Sequence, residues 1–259
     1  AALIEEDGTE NKSKYGANSC LAISLANARA GAIASKKKEL WQHISNLSAR
    51  KAVLPVPVLN IINGGKHAGN EIDFQEYQII PLKFKSFQES FFAGVEVYQE
   101  LKKNLKKDYG KSAVNVGDEG GFAPNFKKVE EPLDEILKAI ESLGYVEEFA
   151  IGIDVAASSF AKKQDDGKIT YIVEGHTLTK EQLISEYEAL IESYRIASIE
   201  DPFDEDDFDA WGELNSKIGK RVQILADDLT VSNKKYINDA IEKKLANGLL
   251  LKVNQVGTL

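Results

Sequence analysis

The segment IASIEDPF, residues 196–203, is a short apolar run that ends in two acidic residues, Glu200 and Asp201. Three other apolar segments have the same design, with charged residues near their ends: FAIGIDVA (149–156), VQILADDLTV (222–231) and GLLLKVNQVG (248–257). Strands that are apolar throughout are typical of a parallel sheet buried on both faces. These segments therefore predict neighbouring parallel strands that carry charged side chains at their carboxyl ends.

Amphipathic stretches separate these strands. A capping box from Thr179 to Gln182 predicts the start of a helix that ends near residue 192. Further helices are predicted around 206–217 and 233–244, and the insertion at 165–173 resembles a hairpin. Strands that alternate with helices predict βαβ units, and so an α/β fold.

The region before residue 149 is organised differently. Two predicted strands are followed by two predicted helices, at 53–62, 71–80, 86–107 and 132–143. This order departs from plain strand–helix alternation. Two helical pieces at 13–33 and 37–47 come first, and we predict a domain boundary near residue 52.

Composition excludes several classes of protein. The 259 residues are 43% hydrophobic and 28% charged, which is globular rather than disordered composition. A net charge of −9 argues against nucleic acid as the main partner. No stretch is long enough for a membrane-spanning helix. The one cysteine, Cys20, cannot form an internal disulfide and is predicted to be a buried small hydrophobe, which fits a reducing, cytoplasmic compartment.

Acidic residues end three successive predicted strands, at Asp154, Glu200 and Asp227, and the next strand ends at Lys252. Taken singly, each residue is more typical of a helix cap or a solvated strand end. In a barrel, however, the carboxyl ends of parallel strands meet on the face where active sites form. Buried carboxylates need a cation, and an all-oxygen donor set suits Mg²⁺. The pattern therefore favours a magnesium site beside a lysine.

Two loops add candidate residues. The glycine-rich loop NVGDEGGFAPN, residues 115–125, carries Glu119 on a backbone that can approach a ligand closely. His67 follows the first predicted barrel strand, where a lone histidine is more often a surface residue than a catalyst. The scarcity of histidine and cysteine disfavours zinc.

Eight segments of the chain resemble the enolase (phosphopyruvate hydratase) family. In chain order they are DGTENKSKYGAN (7–18), LPVPVLNIINGGKHAGN (54–70), FQEY (74–77), NVGDEGGFAPN (115–125), IGIDVAASSF (151–160), SIEDPF (198–203), ADDLTV (226–231) and LLLKVNQVGT (249–258). They cover almost the whole chain in the order of the family, so the combination is highly specific.

The resemblance implies a reaction, the reversible dehydration of 2-phospho-D-glycerate to phosphoenolpyruvate in glycolysis and gluconeogenesis. Lys252 matches the base that removes the C2 proton, and Glu119 matches the acid that helps the C3 hydroxyl leave. The residues that match the Mg²⁺ ligands are Asp154, Glu200 and Asp227. The residues that match the substrate-binding set are His67, Gln75, Glu76, Glu200, Asp227 and Lys252.

The resemblance also implies a fold and an assembly. Residues 1–52 are expected to be the helical remainder of a small N-terminal α+β domain. Residues 53–259 are expected to form the first six of eight strands of a TIM-like barrel whose second strand is antiparallel. The phosphate-holding segment, a second lysine and a mobile serine loop are expected outside this chain, which alone is expected to be inactive. A homodimer is expected, or in some members an octamer.

Two other functions compete with this one. A non-catalytic binding or structural protein on the same scaffold would be favoured by substituted site residues, but every family site residue within the chain is intact. Another metal-dependent lyase of the same superfamily is disfavoured by the GDEGG and KVNQ stretches.

Overall fold

The computed structural model describes residues 2–36 and 39–259, without the side chains of Lys66 and His67. The chain forms two compact units. The first contains Ala1–Pro55, Thr230–Asp239 and Leu249–Leu259, and the second contains Val56–Leu229 and Ala240–Gly248.

Ten helices are found in the described residues. They are α1 (Ala2–Asp7), α2 (Ala17–Ala34), α3 (Leu40–Ser48), α4 (Gly65–Ala68), α5 (Phe87–Asp108), α6 (Glu131–Ser142), α7 (Lys180–Ser193), α8 (Phe208–Ile218), α9 (Lys234–Lys243) and α10 (Val253–Val256). Within the same residues there are nine strands. They are β1 (Leu59–Asn63), β2 (Glu76–Pro81), β3 (Phe149–Asp154), β4 (Ala161–Lys163), β5 (Ile169–Val173), β6 (His176–Leu178), β7 (Ile196–Glu200), β8 (Gln223–Ala226) and β9 (Gly248–Leu249).

Six of these strands form one sheet in the order β1-β2-β3-β7-β8-β9. The β2 strand is antiparallel to both β1 and β3, whereas β3, β7 and β8 are parallel to one another. The antiparallel second strand is therefore confirmed. Over the described residues β1 and β9 are the two edges of the sheet, so the barrel is not closed.

The predicted insertion is a separate antiparallel sheet of three strands, β4, β5 and β6. The capping box is confirmed at the start of α7, since Thr179 Oγ1 accepts the N–H of Gln182 and the Gln182 side chain accepts the N–H of Thr179. These two bonds satisfy backbone donors that a helix start leaves unpaired.

The core of the second unit consists of apolar side chains from the sheet and the helices that cover it. Trp211 of α8, Tyr187 of α7 and Tyr77 of β2 are among its largest fully buried side chains. The β3 strand is buried at all six positions, as expected of a strand covered on both faces. This packing holds the carboxyl ends of the strands in fixed relative positions.

Several strands are shorter than their apolar runs predict. The predicted strand at 53–62 begins only at Leu59, because Pro55 and Pro57 lack the N–H that a strand ladder needs. The predicted strand at 248–257 ends at Leu249, and Val253–Val256 forms helix α10 instead. Periodicity identified these elements correctly but misplaced their ends, which depend on pairing with neighbours.

The first unit is mainly helical. Helix α2 contacts α3 and α10, and Cys20 on α2 is 1% exposed, which confirms its prediction as a buried small hydrophobe. The predicted helix at 37–47 is present as α3, although residues 37 and 38 lie outside the described residues. None of the described helices has the length and apolar character needed to cross a membrane.

Candidate active site

Three carboxylates lie side by side across the sheet. Glu76 at the start of β2 is in register with Asp154 at the end of β3, and Asp154 is in register with Glu200 at the end of β7. Paired residues on adjacent strands project to the same face. Asp154 and Glu200 are each 5% exposed. Strand register thus brings together two predicted metal ligands and one predicted substrate residue.

Asp227 lies at the end of the next strand. Glu200 pairs with Leu225 on β8, and Asp227 follows two residues later, just beyond the strand, where it is 7% exposed. The carboxylate oxygens of Asp201, Asp227 and Asp228 lie within 4.8 Å of one another, so this group could also hold a cation. It shares Asp227 with the predicted ligand set.

Burial and neighbouring negative charges disfavour ionisation of Asp154 and Asp201. Burial raises the pKa of Asp154 well above its ordinary value, and the charges of Glu200, Glu76 and Asp201 raise it further. Burial raises the pKa of Asp201 to about 7, even though two backbone N–H groups act in the opposite direction. A cation would relieve this cost because it offsets the clustered negative charge.

The donor set fits a divalent metal of the kind that the fold implies. The donors are buried carboxylate oxygens, and Mg²⁺ prefers oxygen ligands while retaining waters and substrate oxygens. In the part of the chain that the structure describes, the one group of close metal-ligating atoms is also all carboxylate. Of the predicted ligands Asp154, Glu200 and Asp227, that group contains Asp227.

A second polar layer supports the carboxylate row from below. This layer consists of three residues in register, Gln78 on β2, Gly152 on β3 and Ser198 on β7. On each strand, the layer lies two residues away from the carboxylate of that strand. The Gln78 Nε2 donates to Glu76 at 2.8 Å. Gly152 leaves room for its neighbours, since a Cβ there would lie 2.7 Å from both Gln78 Oε1 and Ser198 Oγ.

We expect Gly152→Ala to lower the thermal midpoint of the protein. Relief of the clash must displace both Gln78 and Ser198, and overpacking of this kind costs about 1–3 kcal/mol. Thermal unfolding of the full-length protein measures the effect. Gly212→Ala in helix α8 is the matched control, because its Cβ would meet only Leu245 at 3.9 Å and alanine favours a helix over glycine by about 0.5–1 kcal/mol. An unchanged midpoint for Gly152→Ala would contradict the packing argument.

Glu119 is positioned by two asparagines of β1. Its Oε2 accepts the side-chain N–H groups of Asn60 at 3.2 Å and Asn63 at 3.0 Å. The glycine-rich loop can approach β1 because Gly121 has no side chain; a Cβ there would lie 2.7 Å from Asn63 Oδ1. The loop therefore presents Glu119 at the start of the sheet, where it is exposed.

Gln75 directly contacts a predicted metal ligand. Its Nε2 donates to Asp154 Oδ2 at 3.0 Å, and its backbone N–H donates to the Asp154 carbonyl at 2.9 Å. The structure thus gives Gln75 a contact with Asp154, while its predicted contact with substrate stays a prediction. His67 belongs to α4, but its side chain lies outside the described residues.

Lys252 belongs to the first unit, at the residue before helix α10. Its backbone N–H donates to Ser232 Oγ at 2.8 Å, and Ser232 Oγ lies 2.8 Å from Gln255 Oε1. Ser232 is 5% exposed. A buried hydroxyl therefore fixes the backbone from which the Lys252 side chain extends.

Sequence reasoning missed the residues that hold the candidates in place. Asn60 and Asn63 had no signal beyond their position in a predicted strand. Asp201 and Asp228 had one, because each is the second acid of a doubled acidic pair at a strand end. Consecutive side chains of a strand point to opposite faces, so only one acid of such a pair can join the carboxylate row. The other acid can form hydrogen bonds that support it.

Fold and site together define an α/β barrel protein with a carboxylate cluster at the carboxyl ends of its parallel strands. Residues 51–259 match the enolase C-terminal TIM barrel domain, and residues 1–44 match the enolase N-terminal domain. The chain is also 49% identical to an enolase from Methanopyrus kandleri, over 99% of this chain and 59% of that relative. The chain belongs to the enolase family, and it spans about three-fifths of the length of this curated relative.

Proposed function

We propose that the full-length protein catalyses the reversible dehydration of 2-phospho-D-glycerate to phosphoenolpyruvate and water. The observation that carries this proposal is the in-register row of Glu76, Asp154 and Glu200, with Asp227 at the end of the next strand. Clustered buried carboxylates serve no packing purpose, but they suit a metal that binds an anionic substrate. Family membership supports the same reaction.

The metal is proposed to be Mg²⁺, held by Asp154, Glu200 and Asp227. When bound, it stabilises the negative charge that develops on the substrate carboxylate as the C2 proton leaves. Gln75 orients Asp154 through its amide, and Gln78 orients Glu76. Locked carboxylate rotamers keep the site organised before substrate binds.

Two residues of the chain are proposed to transfer protons. Lys252 removes the proton from C2, so that its amine takes up the proton that the C–H bond loses. Glu119, placed by Asn60 and Asn63, gives a proton to the C3 hydroxyl, which leaves as water. His67, Gln75 and Glu76 are proposed to line the substrate site.

The wider setting of the protein is also a proposal. We assign residues 1–52 to the N-terminal domain and 53–259 to the barrel domain, which the two family matches support. A cytoplasmic location and a homo-oligomeric state, dimeric or octameric, are proposed from the family. The direct test of function is formation of phosphoenolpyruvate from 2-phospho-D-glycerate by the full-length protein with Mg²⁺.

Glu119→Gln should separate the two proton transfers. We expect the variant to exchange the C2 proton of 2-phospho-D-glycerate with solvent, because Lys252 is intact, while phosphoenolpyruvate formation falls about 10²–10⁴-fold. Exchange is followed by NMR in D₂O, and dehydration by the absorbance of the product. Asp118→Asn, on the neighbouring exposed residue, is the matched control. Wild-type dehydration by Glu119→Gln would remove Glu119 from the mechanism.

A further inference from the structure

Asp201 joins the ends of three strands that each lead to a proposed metal ligand. Its backbone N–H donates to the carbonyl of Leu225 on β8 at 3.1 Å, and its own carbonyl accepts the N–H of Ala157, beyond β3, at 3.1 Å. Asp201 itself directly follows Glu200 on β7. The first bond completes the β7–β8 ladder at the Glu200–Leu225 pair, and the second lies past the end of β3.

The side chain of Asp201 adds a second connection to the β8 end. Its Oδ1 accepts the N–H of Asp227 at 3.0 Å, and its Oδ2 accepts the N–H of Asp228 at 2.9 Å. Two consecutive N–H groups thus converge on one carboxylate, which fixes the backbone orientation of the residue that carries a proposed ligand. Hydrogen bonds that a backbone N–H donates to a buried acceptor are stronger than exposed ones, because the local dielectric constant is low.

The backbone of Asp201 is held in an unusual conformation. Its φ is +41°, in the left-handed region that non-glycine residues rarely adopt, and it is 5% exposed. Aspartate and asparagine enter this region more readily than other residues with a side chain. This turn directs the Asp201 carboxylate toward the end of β8, whereas Glu200 projects from the face of the sheet.

We propose that Asp201 is a positioning residue that holds Asp154, Glu200 and Asp227 as one rigid metal-binding platform. It acts through the backbone of the strand ends, since each of its two carboxylate oxygens accepts a backbone N–H beyond β8. This inference rests on the proposed assignment of those three acids to the metal.

The test compares Asp201→Asn with Asp204→Asn in the full-length protein. Asparagine tolerates a positive φ but can accept only one of the two N–H groups with its single oxygen, so the change removes the connection and keeps the turn. Asp204 is equally buried, and its carboxylate accepts the N–H of Asp206, away from the three strand ends. The two variants match in burial and in the exchange of a carboxylate for an amide, although Asp204 also pairs with Lys163 at 3.3 Å.

Binding of Mn²⁺, followed by calorimetry and by its electron paramagnetic resonance spectrum, gives a readout apart from turnover. We expect Asp201→Asn to weaken Mn²⁺ binding by at least about tenfold and to alter the spectrum of the bound ion, as losses of supporting hydrogen bonds typically do. Asp204→Asn should bind Mn²⁺ like wild type. Equal affinity in Asp201→Asn, an equal loss in both variants, or no Mn²⁺ binding by wild type would each overturn the proposal.

Amide hydrogen exchange of the wild-type protein is a second test, and it does not depend on whether a variant folds. The N–H of Asp228 should be protected although its residue is exposed, because it donates to Asp201. Rapid exchange at both Asp227 and Asp228 would overturn the positioning role. Failure of the wild type to form phosphoenolpyruvate would refute the proposed reaction alone, since neither metal binding nor amide exchange depends on turnover.

Discussion

Lys252→Ala is expected to lower kcat for 2-phospho-D-glycerate by about 10²–10⁴-fold, the range that loss of a general base typically costs. Exchange of the C2 proton with solvent should fall by the same factor, because the lysine acts on that proton before water is lost. The backbone around residue 252 should be retained, since it is held by Ser232 through a main-chain N–H that alanine keeps. Steady-state turnover and NMR exchange in D₂O measure the two effects.

The pair of readouts distinguishes Lys252 from a residue that merely supports the fold. Lys234→Ala, at an exposed position in helix α9 of the same unit, is the control and should turn over like wild type. A Lys252→Ala variant with normal C2 exchange but slow turnover would assign the base to another residue. Normal rates for both would refute the role of Lys252 altogether.

Glu200→Gln is expected to have the second large effect. Glu200 sits at the centre of the acid cluster, in register with Asp154 and one strand from Asp227. Loss of a group that only hydrogen-bonds to a metal ligand weakens metal binding by up to about 100-fold. Loss of the charge of a ligand itself should therefore weaken Mg²⁺ binding by at least about 100-fold, and turnover should fall with it. Calorimetric titration with Mg²⁺ measures the affinity.

The same substitution should stabilise the metal-free protein. Glutamine removes one of the like charges that burden Asp154, so the thermal midpoint without metal should rise by about 2–4 °C, or about 1 kcal/mol. A variant that binds Mg²⁺ more weakly but is more stable without metal is what we expect when the lost carboxylate is a metal ligand. Glu192→Gln, whose exposed carboxylate pairs with Arg221, should change neither quantity appreciably. A fall in both quantities for Glu200→Gln would indicate a purely structural residue.

Elements with a strong local signal were predicted with the right type and nearly the right bounds. The helix begun by the Thr179 capping box was predicted to end near residue 192 and ends at Ser193. Apolar periodicity and caps act within one or two turns, so they can be read directly from neighbouring residues. Strand ends were less accurate, as at β9, because a strand continues only where a partner supplies hydrogen bonds.

The face of helix α5 shows a related error. Helical spacing of apolar residues predicts a buried stripe of Phe87, Phe91, Val95, Tyr98, Leu101 and Leu105. Leu101 and Leu105 are buried, whereas Phe87, Phe91 and Val95 are 38%, 44% and 37% exposed. The buried face contains smaller residues such as Ala93 and Gly94, where Leu59 of β1 lies close to the helix backbone. Helical spacing identified the element, whereas close packing against the sheet selected the face.

The sequence predicted the acidic residues of the candidate site but not the residues that hold them in place. Asp154, Glu200 and Asp227 were visible because each ends an apolar run, a pattern that a short segment contains completely. The amides of Asn60 and Asn63 reach Glu119 across 59 and 56 residues of chain, and no local pattern encodes that contact. Asp201 was visible as an acid, but its connection to Asp227 depends on the alignment of β7 with β8.

The sequence by itself determined the alternation of strands and helices, the placement of acids at strand ends and, through its motifs, the family. These properties depend on residue type and spacing along the chain. The tertiary structure alone decided that Glu76, Asp154 and Glu200 stand in register, and that Asp201 holds three strand ends together. A shift of one residue between strands would turn these side chains to the opposite face, so register, set by packing of the whole sheet, is what converts separate acids into a site.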